Sequence, residues 1–279
     1  MNSVRSERKI SHLFLYGVAL VWVFITLFPL IVTFLCSFKD NEGINLGMFS
    51  LPEKWLWSNY TDAFRSAQMH LAVLNSLFVA SASTIVVLVI GMLAAYVLSR
   101  KTYKWLPLIY SFFIVGVMIP VHTTIIPISS LANVVDGKNS YLFLILVYAA
   151  FNISQAVFLF TGYLNGINRE MDEAAIIDGC TDFQLLFKIL FPISIPILTT
   201  EAILSFVYGY GELIFAMCLI SDKSRYTVSR AMLAFSGGYQ IKLGPIFASI
   251  IIAVIPMVIS YLLFHEKVQS GFLAGAVKG

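Results

Sequence analysis

The sequence predicts an all-α membrane protein with six transmembrane helices. Of its 279 residues, 59% are hydrophobic and 12% are charged, whereas a soluble domain carries about 25% charged residues. Six stretches are each long enough to cross a hydrocarbon core, because a helix needs about 20 apolar residues to do so. These two observations exclude a water-soluble globular protein.

Polar or turn-forming segments separate the predicted spans. The first span follows a basic N-terminus and is too long for the apolar core of a signal peptide, so we interpret it as a retained helix. Pro120 and Pro127 predict a kinked or broken third span. Residues 13–264 form one six-span domain between a cytoplasmic N-terminus at 1–12 and a tail at 265–279. Its spans lie at about 13–38, 71–99, 105–131, 141–163, 193–220 and 243–264, with a polar insertion at 165–192.

An even number of spans places both termini on one side of the membrane. That side has ten Lys and Arg residues, and the opposite side has eight. The short N-terminus and the tight basic turn that contains Arg100, Lys101 and Lys104 have the greatest weight in the positive-inside rule. We therefore expect both termini, and the insertion at 165–192, to lie in the cytoplasm.

Several function classes lack the residues that they need. The net charge of +3 is spread along the loops without a dense basic run, so nucleic acid is not an expected partner. The three cysteines and four histidines share no ligand spacing, which predicts neither a metal site nor a disulfide framework. The chain has no GxxxxGK[ST] phosphate loop and no HExxH motif. We expect no catalytic residue and no cofactor-binding or metal site.

The insertion at 165–192 predicts a helix-turn-helix. Acidic residues fill the first turn of its first helix, where the helix dipole favours negative charge, and Asn168 can cap that helix. Gly179 stands where a left-handed residue must end it. Thr181 or Asp182 can cap a second helix, which Pro192 ends. Four apolar side chains fall on one face of this helix: Phe183, Leu186, Phe187 and Leu190. This stripe must be buried either against another protein or in the lipid interface.

The same insertion contains a spaced motif. Glu173-Ala174-Ala175, Gly179, Ile189 and Pro192 resemble the EAA loop of the membrane subunits of ABC importers, with Phe191 in place of the usual leucine. The resemblance extends over the rest of the chain, and together the motifs are similar to those of the maltose-type carbohydrate-importer permeases, a binding-protein-dependent transport family. The further matching segments include Asn59-Tyr60, Asn75-Ser76-Leu77, Leu93-Ala94-Ala95-Tyr96, Met118-Ile119-Pro120 and Gly275-Ala276-Val277-Lys278-Gly279.

This resemblance implies a type I ABC importer permease architecture in a prokaryotic cytoplasmic (inner) membrane. It implies that the chain forms half of a pore with a sister permease subunit, above two ATPase subunits that bind ATP and Mg and below an extracytoplasmic solute-binding protein. The implied substrate is a carbohydrate, with an oligosaccharide as the expected form, and the implied mechanism is alternating access. The chain itself is then a non-catalytic subunit within the lipid bilayer.

The resemblance also implies that the 165–192 loop couples the pore to the ATPase. Glu173 would hold the loop by pairing with a basic group, and the Gly179 turn would lie in a cleft of the ATPase. The expected coupling residues are Glu173, Ala174, Ala175, Gly179, Phe183, Leu186, Phe187, Ile189 and Pro192.

The fifth predicted span contains the two acidic residues that lie within apolar spans, Glu201 and Glu212. In a continuous helix, residues 11 apart point within about 20° of each other, and Ser205 and Tyr208 fall near the same line. An ionisable group at membrane depth costs at least roughly 2.5 kcal/mol without a partner or water, which predicts a pore-lining face. The alternative is an interhelical hydrogen bond that only holds the helices together. Asn75 and Asn152 are weaker pathway candidates.

Two other function classes remain as alternatives. A self-sufficient secondary transporter would need internal repeats and coupling-ion residues near the midplane, and no convincing second copy of any segment occurs. An intramembrane enzyme would need a catalytic constellation within the spans, and none is present.

Overall fold

The computed structural model describes residues 2–237 and 241–276 of the chain, and within these ranges it contains helices and no strands. This confirms the all-α fold class. Met1 and the tail residues Val277, Lys278 and Gly279, which belong to the two predicted cytoplasmic ends, lie outside the described residues.

Within the described residues, four helices are long and apolar enough to cross a membrane, and two bent helix pairs bring the number to as many as six if each pair is one span. The first span is the apolar segment Leu15–Cys36 of the first helix, and the last span is the segment Leu243–Ser260 of the last helix. The four long helices are α1 (Asn2–Cys36), α4 (Met69–Arg100), α7 (Tyr141–Asn165) and α14 (Leu243–Ala276).

Prolines break the third span. Helix α5 (Leu106–Met118) ends before Pro120, where the backbone is extended, and the chain continues through a short 3₁₀ turn into α6 (Ile125–Val134). The two arms meet at 94°. Proline lacks an N–H and disfavours the helical conformation of the residue before it, which explains the break. Pro127 lies in the first turn of α6, where a missing N–H costs nothing.

The fifth span is also broken, although the sequence predicts one continuous helix over 193–220. A bend of 77° separates the segment Asp182–Ile193 from α11 (Ile195–Gly211). Helix α11 then stops at Gly211, Glu212 is extended, and the short helices α12 (Ile214–Leu219) and α13 (Val228–Met232) follow. The prediction of a continuous span is therefore wrong at Glu212, where two glycines weaken the helix and the carboxylate caps a new one.

The residues fall into two compact units, Met1–Met69 with Met232–Pro256 and His70–Ala231 with Met257–Gly279. In the first unit, Val32, Cys36 and Ile44 form a small core with the partly buried Leu243 and Phe247. Two short helices follow α1 in this unit, α2 (Asn41–Leu46) and α3 (Ser58–Ser66). The buried Asn59 amide fixes the chain after α1 by donating to the carbonyls of Ser37 and Lys39, both at 2.9 Å.

The second unit is built on close helix contacts at glycines. A Cβ placed on Gly209 of α11 would lie 3.3 Å from the Cα atom of Ala80 in α4, and one on Gly91 would lie 3.0 Å from the Cβ atom of Ala156 in α7. Real Cβ atoms rarely approach other atoms so closely, so larger residues would force these helices apart. Helices α4 and α7 thus form the scaffold on which the 165–192 insertion and the broken fifth span are placed.

Candidate functional site

The first candidate site is the insertion between α7 and α11, which begins with α8 (Glu170–Ile177). The Asn168 side chain accepts the N–H of Glu170 at 3.1 Å. The prediction that Asn168 is the cap is wrong by one residue, because the N-cap is Arg169, which makes no side-chain capping bond. The N–H groups of Gly179 and Cys180 donate to the carbonyls of Ile176 and Ala175, a Schellman ending of the helix. Gly179 has a φ of +82°, and this confirms the predicted left-handed turn.

A second helix follows the turn. Thr181 begins it with a reciprocal capping box: its hydroxyl accepts the N–H of Gln184, whose side chain accepts the N–H of Thr181. The helix contains α9 (Asp182–Gln184), a wider π turn over Leu185–Leu190, and α10 (Phe191–Ile193).

The prediction that Pro192 ends this helix is wrong, because Pro192 lies inside α10 and the bend follows at Ser194. Proline cannot donate to the carbonyl four residues earlier, and its ring clashes with that carbonyl. The widened turn before Pro192 accommodates both constraints.

The predicted apolar stripe does not face one way. Leu186 and Leu190 are buried in the core that this chain forms with α4 and α7, whereas 69% of Phe183 is exposed. Phe187 lies between these extremes and packs against Phe183 with ring centroids 4.4 Å apart. The π turn changes the angular spacing of the side chains, so a stripe predicted at regular helical spacing divides into a buried half and an exposed half.

The remaining coupling candidates also divide into buried and exposed residues. Ala175 is buried and Ile189 is partly buried in the chain's own core, whereas Glu173, Ala174, Gly179 and Pro192 are exposed. Two isoleucines just before the turn add apolar surface that the sequence analysis missed, since Ile176 and Ile177 are 57% and 85% exposed. The exposed apolar side chains around Gly179, which we call the loop tip, are Ile176, Ile177 and Phe183.

The base of the insertion is fastened to the end of α4. The guanidinium of Arg100 lies 2.6 Å from the carboxylate of Asp172, and both side chains are buried. Arg100 also donates to the carbonyl of Leu164 at 2.8 Å, and Arg169 donates back to the carbonyl of Ser99 at 3.0 Å. Burial raises the pKa of the Asp172 carboxyl above its ordinary value, and the Arg100 charge opposes this rise.

A second ion pair fastens the second helix of the insertion. Lys101 and Asp182 lie 2.7 Å apart with both side chains partly in solvent, and the Tyr96 hydroxyl donates to the other oxygen of Asp182 at 2.9 Å. The hydrogen bonds from Lys101 and Tyr96 lower the pKa of the Asp182 carboxyl. From the sequence, Arg100 and Lys101 predict only the orientation of the chain in the membrane. The sequence signal for these ion pairs was that a basic turn and an acidic insertion lie on the same predicted side of the membrane.

Glu173, the acid of the spaced motif, makes no such bond. Its side chain is exposed, and none of the ion pairs found in residues 2–237 and 241–276 includes it. Its neighbour Asp172 makes the internal ion pair instead. Pairing of Glu173 with a basic group of another subunit stays a prediction.

Glu201 is fully buried and belongs to a polar cluster within the membrane part of the chain. The Ser205 hydroxyl donates to one carboxyl oxygen at 2.7 Å, and the Gln155 amide of α7 donates to the other at 3.3 Å. This is the interhelical hydrogen bond that the sequence leaves as the alternative to a pore-lining role.

Glu212 belongs to a different cluster. The Tyr148 hydroxyl of α7 donates to its carboxylate at 2.7 Å, and the N–H groups of Phe215 and Ala216 donate at 2.9 and 3.1 Å. The half-buried Tyr208 ring meets the Tyr148 ring edge-on, with centroids 6.1 Å apart. Gln155 and Tyr148 both belong to α7, so Glu201 and Glu212 face the same helix, as the sequence predicts, although α11 ends at Gly211. A pore-lining role for this face stays a prediction. Tyr148 was missed because an aromatic residue in an apolar helix gives no distinguishing signal.

The two asparagine candidates bind backbone carbonyls. Asn75 donates to the carbonyls of Ser224 and Tyr226, both at 3.0 Å, and thereby holds the segment after α12. Asn152 donates to the carbonyl of Tyr148, one turn earlier in its own helix, at 2.8 Å. In the described ranges, no group of three or more His, Cys, Asp or Glu residues is placed to hold a metal ion.

Comparisons with known proteins agree on one family. Residues 87–272 match the family described as binding-protein-dependent transport system inner membrane component. The chain is 30% identical to the sulfoquinovosyl glycerol transport system permease protein of Agrobacterium fabrum, over 91% of this chain and 89% of that protein. It is 28% identical to the diacetylchitobiose uptake system permease protein of Streptomyces coelicolor, over 99% of this chain and 91% of that protein.

A solved structure has the same fold. The match is to a chain in the crystal structure of a bacterial ABC transporter involved in the import of the acidic polysaccharide alginate, with a TM-score of 0.77 and 19% identity. It covers 92% of this chain and 96% of that chain. The expected type I importer permease architecture is thereby confirmed.

Proposed function

This chain belongs to the family of binding-protein-dependent transport system inner membrane components, and we propose that it forms half of the pore of an ATP-driven carbohydrate importer. The family makes it a non-catalytic subunit of the inner membrane. Relatives named for the transport of diacetylchitobiose, of trehalose and of multiple sugars support a carbohydrate substrate, with an oligosaccharide as its form.

The proposed assembly contains three further kinds of subunit. A sister permease completes the pore, two ATPase subunits bind ATP and Mg on the cytoplasmic side, and a solute-binding protein delivers the sugar from outside. Both termini and the 165–192 insertion lie in the cytoplasm in this proposal, which rests on the basic N-terminus and the basic turn at Arg100.

The observation that supports a coupling role most directly is the contrast between the base and the tip of the insertion. The base is fixed to α4 by the ion pairs of Arg100 with Asp172 and of Lys101 with Asp182, while the loop tip leaves three apolar side chains exposed. A displacement of the loop tip should therefore move α4 as well, because the ion pairs leave no flexible loop between them. In our proposal, ATPase closure moves the insertion and the helices of the second unit together and switches the pore between its two openings.

Different contacts support the roles that we propose for the pathway residues. Tyr208 is half-buried beside Tyr148 and keeps part of its ring accessible, which suits a sugar-facing role. Glu201, Ser205, Glu212, Asn75 and Asn152 donate or accept within the chain, and we propose that they set the shape of the pathway wall.

A pull-down from the host membrane tests the proposal. Tagged wild-type chain should recover a sister permease and an ATPase, whereas Gly179→Val should lose the ATPase alone, because valine is strained at a φ of +82°. Gly162→Val is the matched control, since a Cβ at Gly162 meets nothing within 4 Å in the chain.

Two results would contradict parts of the proposal. Recovery of no ATPase with the wild-type chain would favour a self-sufficient transporter. Equal recovery of the ATPase with Gly179→Val and with wild type would show that the turn is not part of the coupling surface.

A further inference from the structure

An apolar turn follows α2 in the first unit and projects large side chains out of the chain. Residues 43–52 contain no charged residue, yet Leu46, Phe49 and Leu51 are 82%, 68% and 73% exposed. Met48 between them is also exposed. Such a group of apolar side chains within six residues is unusual for a loop in water and indicates an apolar partner.

The turn lies beside the membrane part of α1. The Phe49 ring stacks on Phe28 with centroids 5.6 Å apart, and the Cys36 thiol donates to the carbonyl of Met48 at 3.5 Å. Phe28 precedes the end of α1 at Cys36 by two turns, a distance of about 12 Å along the helix axis. Phe28 also belongs to the apolar span Leu15–Cys36. When α1 is in the bilayer, the Phe49 ring is therefore level with its hydrocarbon-facing residues.

A buried lysine supplies the hydrogen bonds that water would supply to an ordinary loop. The Lys39 side chain, whose residue is 4% exposed, donates to the carbonyls of Gly47 and Ser50 at 2.6 and 2.5 Å and to the Ser50 hydroxyl at 3.1 Å. Lysine normally keeps its ammonium in water. Irregular backbone survives at membrane depth only where its polar groups are satisfied from within the protein, and Lys39 meets this requirement for the turn.

The residues beyond the turn mark where the polar region begins. Glu53 and Lys54 are the first charged residues after it, and both are exposed. Trp55 and Trp57 follow, with rings packed around Phe38 at 4.9 and 4.8 Å. Tryptophan is enriched at the level of lipid headgroups. The order along the chain is thus apolar turn, charged pair and then aromatic rings.

We propose that Leu46–Leu51 is a lipid-inserted tip, whose exposed side chains contact the acyl chains of the leaflet at the C-terminal end of α1. In the orientation proposed above, this is the outer leaflet. Lys39 holds the tip in its inserted form by binding its carbonyls. The inference needs α1 to span the membrane, and it does not depend on the substrate or on the coupling role of the 165–192 insertion.

Photo-crosslinking in the assembled transporter tests this inference. A benzoylphenylalanine in place of Phe49 preserves the ring, and one in place of Glu53 is the matched control four residues away. After irradiation of intact membranes, mass spectrometry of the peptide should find lipid adducts at position 49, at least fivefold more than at position 53. A protein adduct at position 49, of the mass of a sister permease or a solute-binding protein, would overturn the inference. Equal or absent lipid adducts at the two positions would also overturn it.

A lysine substitution tests the role of the buried ammonium. Lys39→Met, combined with the crosslinker at position 49, should at least halve the yield of lipid adducts, because the Gly47 and Ser50 carbonyls then need water. Lys54→Met, which removes an exposed lysine close by, should leave the yield unchanged. An unchanged yield with Lys39→Met would show that Lys39 does not hold the tip.

Discussion

The base of the 165–192 insertion and the break in the fifth span both hold carboxylates, but they satisfy them differently. Asp172 and Asp182 bind the cationic side chains Arg100 and Lys101. Glu201 and Glu212 bind a serine, an amide, a phenol and backbone N–H groups instead. The insertion is thus held to α4 by charge, whereas the membrane break is held to α7 by neutral donors.

This difference shows where each type of bond is useful. The strength of an ion pair depends on its exposure, so the buried pair of Arg100 with Asp172 should contribute more than the partly exposed pair of Lys101 with Asp182. Inside the membrane, neutral donors fix a carboxyl group without adding a second charge that must also be desolvated. Four substitutions or conditions test this comparison.

The buried ion pair at the base should be the most sensitive element. Arg100→Leu removes the partner of a buried carboxylate and the side-chain donor to the carbonyls of Leu164 and Ile167, and we expect destabilisation of about 3 kcal/mol and a loss of most transport. Thermal unfolding in detergent and sugar uptake in cells measure the two effects. Lys104→Leu, from the same basic turn, is the control and should change neither.

The neutral cluster at the break should come next. Glu212→Leu leaves the Tyr148 hydroxyl and two helical N–H groups without their acceptor, which should cost about 2 kcal/mol. Glu212→Gln keeps an acceptor oxygen and should lose less. Unfolding in nanodiscs compares the two variants, and equal losses would mean that the hydrogen bonds to Glu212 contribute little.

The exposed ion pair should matter much less. Lys101 and Asp182 are both partly in solvent, so Lys101→Met should cost about 0.5 kcal/mol and reduce ATPase coupling only slightly. High salt should have a similar small effect on wild type and none on the variant. A loss as large as that of Arg100→Leu would contradict the distinction between the two pairs.

Acid should separate the two aspartates by the sign of their pKa shifts. The pKa of Asp182 is lowered in the folded chain, so its contribution to stability is present above its ordinary value near 3.8 and is lost as the pH falls through the lowered pKa. The pKa of Asp172 is raised, so the folded state gains relative stability as the pH falls through that raised value. Asp182→Asn should therefore reduce the loss of stability at low pH, and Asp172→Asn should not. Unfolding measured from pH 6 to pH 3 provides the comparison.

Most of the 165–192 insertion could be predicted from the sequence, and less of the fifth span could. The turn at Gly179 and the cap at Thr181 depend on neighbouring residues, and the structure contains both. The stripe from Phe183 to Leu190 depends on regular helical spacing, which the π turn before Pro192 removes. The continuous helix over 193–220 failed because α11 ends at Gly211, although Glu201 and Glu212 both face α7.

Local chemistry let the sequence determine the class of protein, the number of apolar stretches, the break at Pro120 and the left-handed turn at Gly179. Hydropathy, proline geometry and the steric freedom of glycine act within a few residues, so their consequences can be read along the chain. Only the tertiary structure decided that Tyr96 binds Asp182 and that Tyr148 binds Glu212. These partners are 86 and 64 residues apart, and such pairings depend on how whole helices pack, which no local pattern specifies.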